Sequence, residues 1–280
     1  MLKNLTFGFY PDSLYVDSPT SVLSFRRSYM RICVLTSIRD IALCDRNGEM
    51  VHTRDGSRYM KGSLEHLVLA TLPGGRLYGL TQVVGVVTDD MDKDLGGYPK
   101  TPTLGGPWIH PFGLRGPEGM LVRDVTTNIP SNFRALPLSD QKGREVAKEE
   151  FERKVLEFMV EREADILLSD HYMARIDHLW AWIPRRVLNI HPGVTVPGHP
   201  YAFRGKTPTA DAISRAKNEV GVRTGATIHF VDGEIDHGPV ISFLDITPVY
   251  GTDQPEELRY RNYQMAKLPV LIDGLVNHLV

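Results

Sequence analysis

The sequence predicts an α/β domain built on a single doubly wound, mainly parallel sheet. Three observations carry this expectation. The segments Ile32–Thr36 and Val83–Thr88 are runs of apolar and β-branched residues, the pattern of strands buried on both faces. Between them Leu64, Leu67, Val68 and Leu72 recur at helical spacing, and strand, helix, strand is how an α/β sheet opens. With 280 residues, 42% of them hydrophobic and 24% charged, the chain can bury a full core.

Residues 1–29 carry Asp12 and Asp17, no sustained apolar run and no small-residue cleavage pattern. They read as a poorly ordered N-terminal appendage, with the folded domain spanning 30–280. After the first strand, Asn47-Gly48 between strand-forming residues predicts a hairpin decorating the sheet edge. Ser63 offers a helix N-cap, and Pro73-Gly74-Gly75 ends that helix. The stretch from Asp89 to about Gln141 is rich in Pro and Gly and holds Trp108, His110, Phe112 and Phe133. It reads as a long insertion, either an ordered cover over a substrate or a plain surface loop. From Lys142 a helix follows, with Val146, Phe151, Val155, Phe158 and Met159 as its apolar stripe. Strands are expected at 164–169, 187–191, 225–231 and 240–245, a helix at 207–217, and a C-terminal helix begun by Asp253 and Pro255.

Composition excludes several classes of function. With 32 basic against 34 acidic residues the chain has no strong field, so neither nucleic acid nor an anionic membrane is expected as a partner, and a small molecule is. No apolar run reaches the roughly 18 residues that span a bilayer. The two cysteines, Cys33 and Cys44, lie in strand-like segments, which points to free thiols and a cytoplasmic setting. The ten histidines include no His-Glu-x-x-His and no partner set for His171 or His178, so no metal is expected. No Gly-x-Gly-x-x-Gly follows the first strand, which disfavours a nicotinamide cofactor.

Two polar clusters stand out. Asn189-Ile190-His191-Pro192-Gly193 ends a strand, where open α/β sheets bind their ligands. Gly225 to Val231 then runs as a strand into the acidic, glycine-punctuated loop Asp232 to Pro239. Taken singly, Asn189, His191 and Asp236 would be turn or surface residues.

The order of Asn189-x-His191-Pro192, the basic segment Phe203-Arg204-Gly205-Lys206-Thr207-Pro208, the strand Gly225-x-x-x-His229-Phe230-Val231 and the loop Asp236-x-Gly238-Pro239 resembles the folate-dependent formyltransferase family. The motifs cover Ala164 to the C-terminus. The resemblance implies the formyltransferase fold and 10-formyltetrahydrofolate as formyl-donor cosubstrate. It implies a catalytic role for Asn189, His191 and Asp236, with Asn189 donating to the oxygen of the attacked formyl group, His191 donating a hydrogen bond or a proton and Asp236 orienting His191 and accepting a proton, and with Thr227 and His229 behind them. It also implies folate contact at Met173, Arg175 and Ile176 and along the loop at Val231, Asp232 and Asp236. Acceptor contact is expected from Arg204, Lys206 and Asp40.

Within the family, members that formylate glycinamide ribonucleotide hold its phosphate in a glycine-rich loop after the first strand. Here that loop reads Thr36-Ser37-Ile38-Arg39-Asp40-Ile41, without glycine and with a carboxylate. The run Ser169 to Arg175, the run Phe203 to Ala212 and the long insertion are more similar to the branch that formylates N-hydroxyornithine in siderophore biosynthesis. Phosphoribosylglycinamide formyltransferase, formyltetrahydrofolate deformylase and a folate-binding regulator without turnover stand as the other readings. Oligomeric state is not legible.

Overall fold

The structure is a computed structural model that describes residues 29–37, 49–91, 114–116, 119–170, 172 and 174–279. Residues 1–28 of the expected appendage at 1–29, Asp40, Cys44, Asn47-Gly48 and most of the first part of the insertion lie outside the described residues. The strands are β1 (Met30–Thr36), β2 (Glu49–Thr53), β3 (Gly56–Met60), β4 (Thr81–Thr88), β5 (Thr126–Asn128), β6 (Ile166–Ser169), β7 (Val187–His191), β8 (Arg223–Phe230) and β9 (Val240–Pro248). The helices are α1 (Ser63–Thr71), α2 (Gln141–Glu161), α3 (Leu179–Trp182), α4 (Pro208–Ala216), α5 (Pro255–Asn262) and α6 (Leu268–Leu279).

Seven strands form one sheet in the order β5-β4-β1-β6-β7-β8-β9. The first five are mutually parallel, while β8 and β9 close the edge antiparallel. The chain leaves β1 toward β4 and β5 on one side, then returns to β6 and β7 on the other. That reversal opens a crevice beyond the strand C-termini, where Leu35 of β1 registers with Ser169 of β6.

Both faces of the sheet are covered, as continuous apolar strands require. On one face Ile32, Val34, Ile166 and Leu168 pack under Leu64, Leu67 and Val68 of α1 and Val270, Leu271 and Leu275 of α6. On the other, Cys33, Leu35, Val84 and Leu167 meet Phe151, Val155, Phe158 and Met159 of α2. The expected stripe holds except for Val146, which is 59% exposed because it lies about 140° around α2 from Phe151, while Ala147 beside it packs on the core. Burial pushes the Cys33 thiol up to about 12.

Several local expectations are corrected. The hairpin expected at Asn47-Gly48 falls outside the described residues, and a hairpin not expected from the sequence, β2 with β3, turns at Arg54-Asp55 and forms its own two-stranded sheet. Its Val51 and Met60 bury against Tyr263 and Leu268, so tertiary packing selects it. Ser63 does not cap α1: Gly62 is the N-cap, and the Ser63 hydroxyl is buried without a partner. The insertion is not all loop, because Thr126–Asn128 pairs in parallel with β4 and extends the sheet. Three residues are too few for a sequence period to show. The C-terminal helix starts from a capping box of Gln254 and Glu257, and a π-helical turn, Tyr263–Lys267, joins α5 to α6. Among the described residues no helix is long and apolar enough to cross a membrane.

Candidate active site

Because side chains alternate along a strand, Asn189 and His191 share one face of β7 while Leu188 and Ile190 enter the core on the other. The antiparallel register places His229 opposite Asn189 and Thr227 opposite His191, so all four side chains stand on that face. The loop after β8 then returns Asp236 to them. Its φ of +55° lies in the left-handed region, which Asp tolerates better than most residues.

One carboxylate connects the group. Asp236 Oδ1 accepts from Asn189 Nδ2 at 3.3 Å and lies 3.6 Å from His229 Nε2. Its Oδ2 lies 3.4 Å from His191 Nδ1 and accepts the Gly205 N–H at 2.8 Å. The tautomers follow from the backbone. His229 Nδ1 is 2.8 Å from the Phe230 carbonyl, which can only accept, so Nδ1 carries the hydrogen and the Nε2 lone pair receives Asn189 Nδ2 at 3.2 Å. His191 Nε2 donates to the Phe203 carbonyl at 2.8 Å, leaving Nδ1 turned to Asp236. Gly193 makes this possible, since a Cβ there would stand 2.4 Å from the Phe203 oxygen and 3.0 Å from His191 Nε2.

His191, His229 and Asp236 are all buried. Burial holds the His191 pKa below its ordinary 6.5, although the Asp236 charge works in the opposite direction. For Asp236 burial acts upward, but the two facing histidines, which favour the carboxylate whenever they carry a proton, and the Gly205 N–H together outweigh it and hold the carboxyl below 3.8. A neutral imidazole thus faces an ionised carboxylate across Nδ1, a site that can take up a proton as an imidazolium-carboxylate pair.

The other expected residues divide. Thr227, fully buried, accepts the Thr195 N–H at 3.1 Å and pins the segment after β7. Arg204 ties two loops, donating to the Thr195 carbonyl at 3.2 and 2.7 Å with His237 Nε2 at 3.0 Å. Lys206 is exposed. The guanidinium of exposed Arg175 pairs with Asp177, and the Ile176 side chain is buried in the core, so only its backbone is left to meet a ligand. The Val231 N–H bonds the Val187 carbonyl at 2.9 Å, and Asp232 accepts the Glu234 N–H at 3.2 Å within its own turn. Met173 and Asp40 lie outside the described residues. Among the described residues no group of three or more His, Cys, Asp or Glu side chains is arranged to hold a metal ion.

Gly193, the Phe203 carbonyl and the Gly205 N–H are parts of the site that sequence reasoning missed. Backbone groups leave no residue-type signal, and Gly193 reads as an ordinary turn glycine after proline. Trp180 of α3 is another, its indole lying against Gly233 where a Cβ would be 2.8 Å from Cε2.

Residues 126–272 match the formyl transferase family. PvdF of pyoverdin biosynthesis, an N10-formyltetrahydrofolate-dependent formyltransferase, superposes with a TM-score of 0.78 at 30% identity, covering 90% of this chain and 100% of that one. Phosphoribosylglycinamide formyltransferase from Bacillus halodurans shares the fold with a TM-score of 0.53 at 19% identity, over 88% of this chain and 95% of that one. In sequence, the chloroplastic phosphoribosylglycinamide formyltransferase of Arabidopsis thaliana is 40% identical over 95 residues, 33% of this chain and 30% of that protein. Formyltetrahydrofolate deformylase of Bacillus subtilis (strain 168) is 30% identical over 126 residues, 44% of this chain and 38% of that protein. The chain thus spans about a third of the length of these two curated relatives.

Proposed function

Because the chain belongs to the formyl transferase family, we propose that it transfers the formyl group of 10-formyltetrahydrofolate to a nitrogen of a small acceptor, the side-chain hydroxylamine of N-hydroxyornithine in siderophore biosynthesis. Residues 30–280 form the formyltransferase domain of this reading, which places the reaction in the cytoplasm. The convergence of Asn189 and His191 on the single carboxylate of Asp236 carries it.

Attack of the acceptor nitrogen on the formyl carbon creates a negative oxygen and a positive nitrogen. In this reading the Asn189 amide keeps one hydrogen on the His229 lone pair and turns the other from Asp236 to the oxygen. The proton leaving the nitrogen is received by Asp236 and His191, whose facing atoms are ready for it. The pterin lies between the loop at 172–176 and the loop at 231–236. Neither a covalent enzyme intermediate nor a metal is needed for these steps.

Two observations support the acceptor. PvdF, of pyoverdin biosynthesis, superposes along its whole length at 0.78, against 0.53 for the phosphoribosylglycinamide enzyme of B. halodurans. The Ser37 hydroxyl after β1 donates to the buried carboxylate of Asp89, a poor surrounding for a phosphate. Chemistry agrees: an alkylamine with a pKa of about 10.4 is protonated at neutral pH and cannot attack, whereas a hydroxylamine is largely neutral. The similarity to the deformylase keeps water as the competing acceptor.

The test incubates the protein with 10-formyltetrahydrofolate and, in turn, N-hydroxyornithine, ornithine, glycinamide ribonucleotide or water alone, following folate release and formylated product. Product is expected with the hydroxylamine, little with ornithine and none with the ribonucleotide. Efficient formylation of the ribonucleotide alone would overturn the acceptor while leaving formyl transfer. Release without product would favour the deformylase, and no release at all would leave only a folate-binding protein.

A further inference from the structure

Glu152 of α2 is 1% exposed, yet it is a carboxylate beside an apolar layer and bonds none of the residues assigned to catalysis among the contacts of its two oxygens. Its two oxygens accept three successive backbone N–H groups: Asp177 at 2.8 Å, His178 at 2.7 Å and Leu179 at 2.8 Å. These are the groups that the start of α3 would otherwise leave unpaired. A helix usually meets them with a nearby Ser or Asp. Here the cap comes from a distant helix, so the place of the 172–179 loop is dictated by α2.

The residue before Glu152 holds the other end of the loop. Phe151 stacks on Tyr172 with ring centroids 5.7 Å apart and planes 9° from parallel. One turn earlier, Lys148 pairs with Asp177, which also holds Arg175. Tyr172 at one end and Asp177 to Leu179 at the other are thus tied to a single stretch of α2. Residues tied in this way have lost conformational freedom before any ligand arrives, which lowers the entropic cost of binding.

We infer that Glu152 is a positioning residue for the formyl donor: its buried carboxylate clamps residues 177–179 and so sets the path of residues 174–176 that lead into them, in the shape that receives the pterin. The inference rests on the assignment of that loop to the folate and adds a residue that never touches it. Its effect belongs to donor affinity rather than to the chemical step.

The experiment compares the native chain, Glu152→Gln, Glu152→Asp and the core variant Phe158→Leu. It measures binding of tetrahydrofolate by calorimetry, steady-state kinetics with donor and acceptor varied separately, and amide exchange along the chain. In Glu152→Gln the donor KM should rise about tenfold or more, the scale of hydrogen bonds lost to a charged acceptor. The acceptor KM and kcat at saturating donor should stay within about twofold. Exchange should quicken at 177–179 and stay unchanged in β1, β4 and β6. Glu152→Asp keeps the charge one methylene short and should show a smaller rise. It decides the matter if the Gln variant does not fold, since an unchanged donor KM there overturns the proposal. A folded Gln variant with native donor affinity overturns it too, as does an equal rise in Phe158→Leu, which would trace the effect to stability alone. Failure of the native chain to bind tetrahydrofolate would instead sink the donor assignment, and the proposal with it.

Discussion

The Asp236 carboxylate stands 3.4 Å from Nδ1 of His191, although one residue ends a strand and the other sits in a loop beyond the next strand. Both are buried, so their mutual effect is not screened by solvent. Asp236→Asn keeps the size of the side chain, an acceptor for Gly205 and a residue type that tolerates positive φ. Folding and folate binding should remain close to native, while turnover should fall about a hundredfold or more for want of a proton acceptor. Turnover near the native value would remove Asp236 from the mechanism.

Gly193→Ala places a Cβ 2.4 Å from the Phe203 carbonyl, which must then withdraw from His191. The expected loss of stability is about 1–3 kcal/mol, the usual range for overpacking, together with lower turnover because the His191 ring loses its support. Denaturant unfolding and steady-state kinetics on one preparation check both. An active variant of native stability would show that the loop yields without strain.

Lys267 Nζ reaches Asp170 and the Tyr263 hydroxyl, each at 2.7 Å, and the lysine and aspartate are both about 1% exposed. Removing one member of a buried ion pair strands the other, so Lys267→Met should destabilise by roughly 3–5 kcal/mol. Adding Asp170→Asn should return part of that loss, since no charge is then stranded. Urea midpoints of the two singles and the double variant decide it: strictly additive losses would mean that the pair does not interact.

Burial, with Lys61 nearby, lowers the pKa of His66 from 6.5 to about 4. Between those values the unfolded chain binds a proton that the folded chain refuses, so stability rises with pH across the window and is lost as pH falls through it. His66→Asn should flatten the decline in urea midpoint between about pH 7 and about pH 5. His191 and His278, both shifted down chiefly by burial, leave a residual slope. An unchanged slope in the variant would show that His66 is not protected.

The parallel core and the two ends of the candidate site were legible in the chain itself. Val187–His191 is a strand at its expected bounds, and the Asn-x-His spacing puts both side chains on one face by alternation alone. Periodicity works there because burial on both faces demands an uninterrupted apolar run. It failed where the decisive contacts are distant in sequence. Ser63 resembles a cap but leaves that position to Gly62, and Val146 stands on the solvent side of its helix, about 140° around from Phe151.

Residue type and order thus determined the fold class, the family motifs and the chemistry that Asn189, His191 and Asp236 could perform. Only the folded chain decided how they meet: which tautomer the Phe203 and Phe230 carbonyls impose on the two histidines, which N–H holds Asp236, and that Glu152 anchors a loop two elements away. The reason is physical. Side-chain chemistry and local periodicity are written residue by residue, whereas backbone hydrogen bonds between distant segments have no letter of their own and come into being with the packing that brings them together.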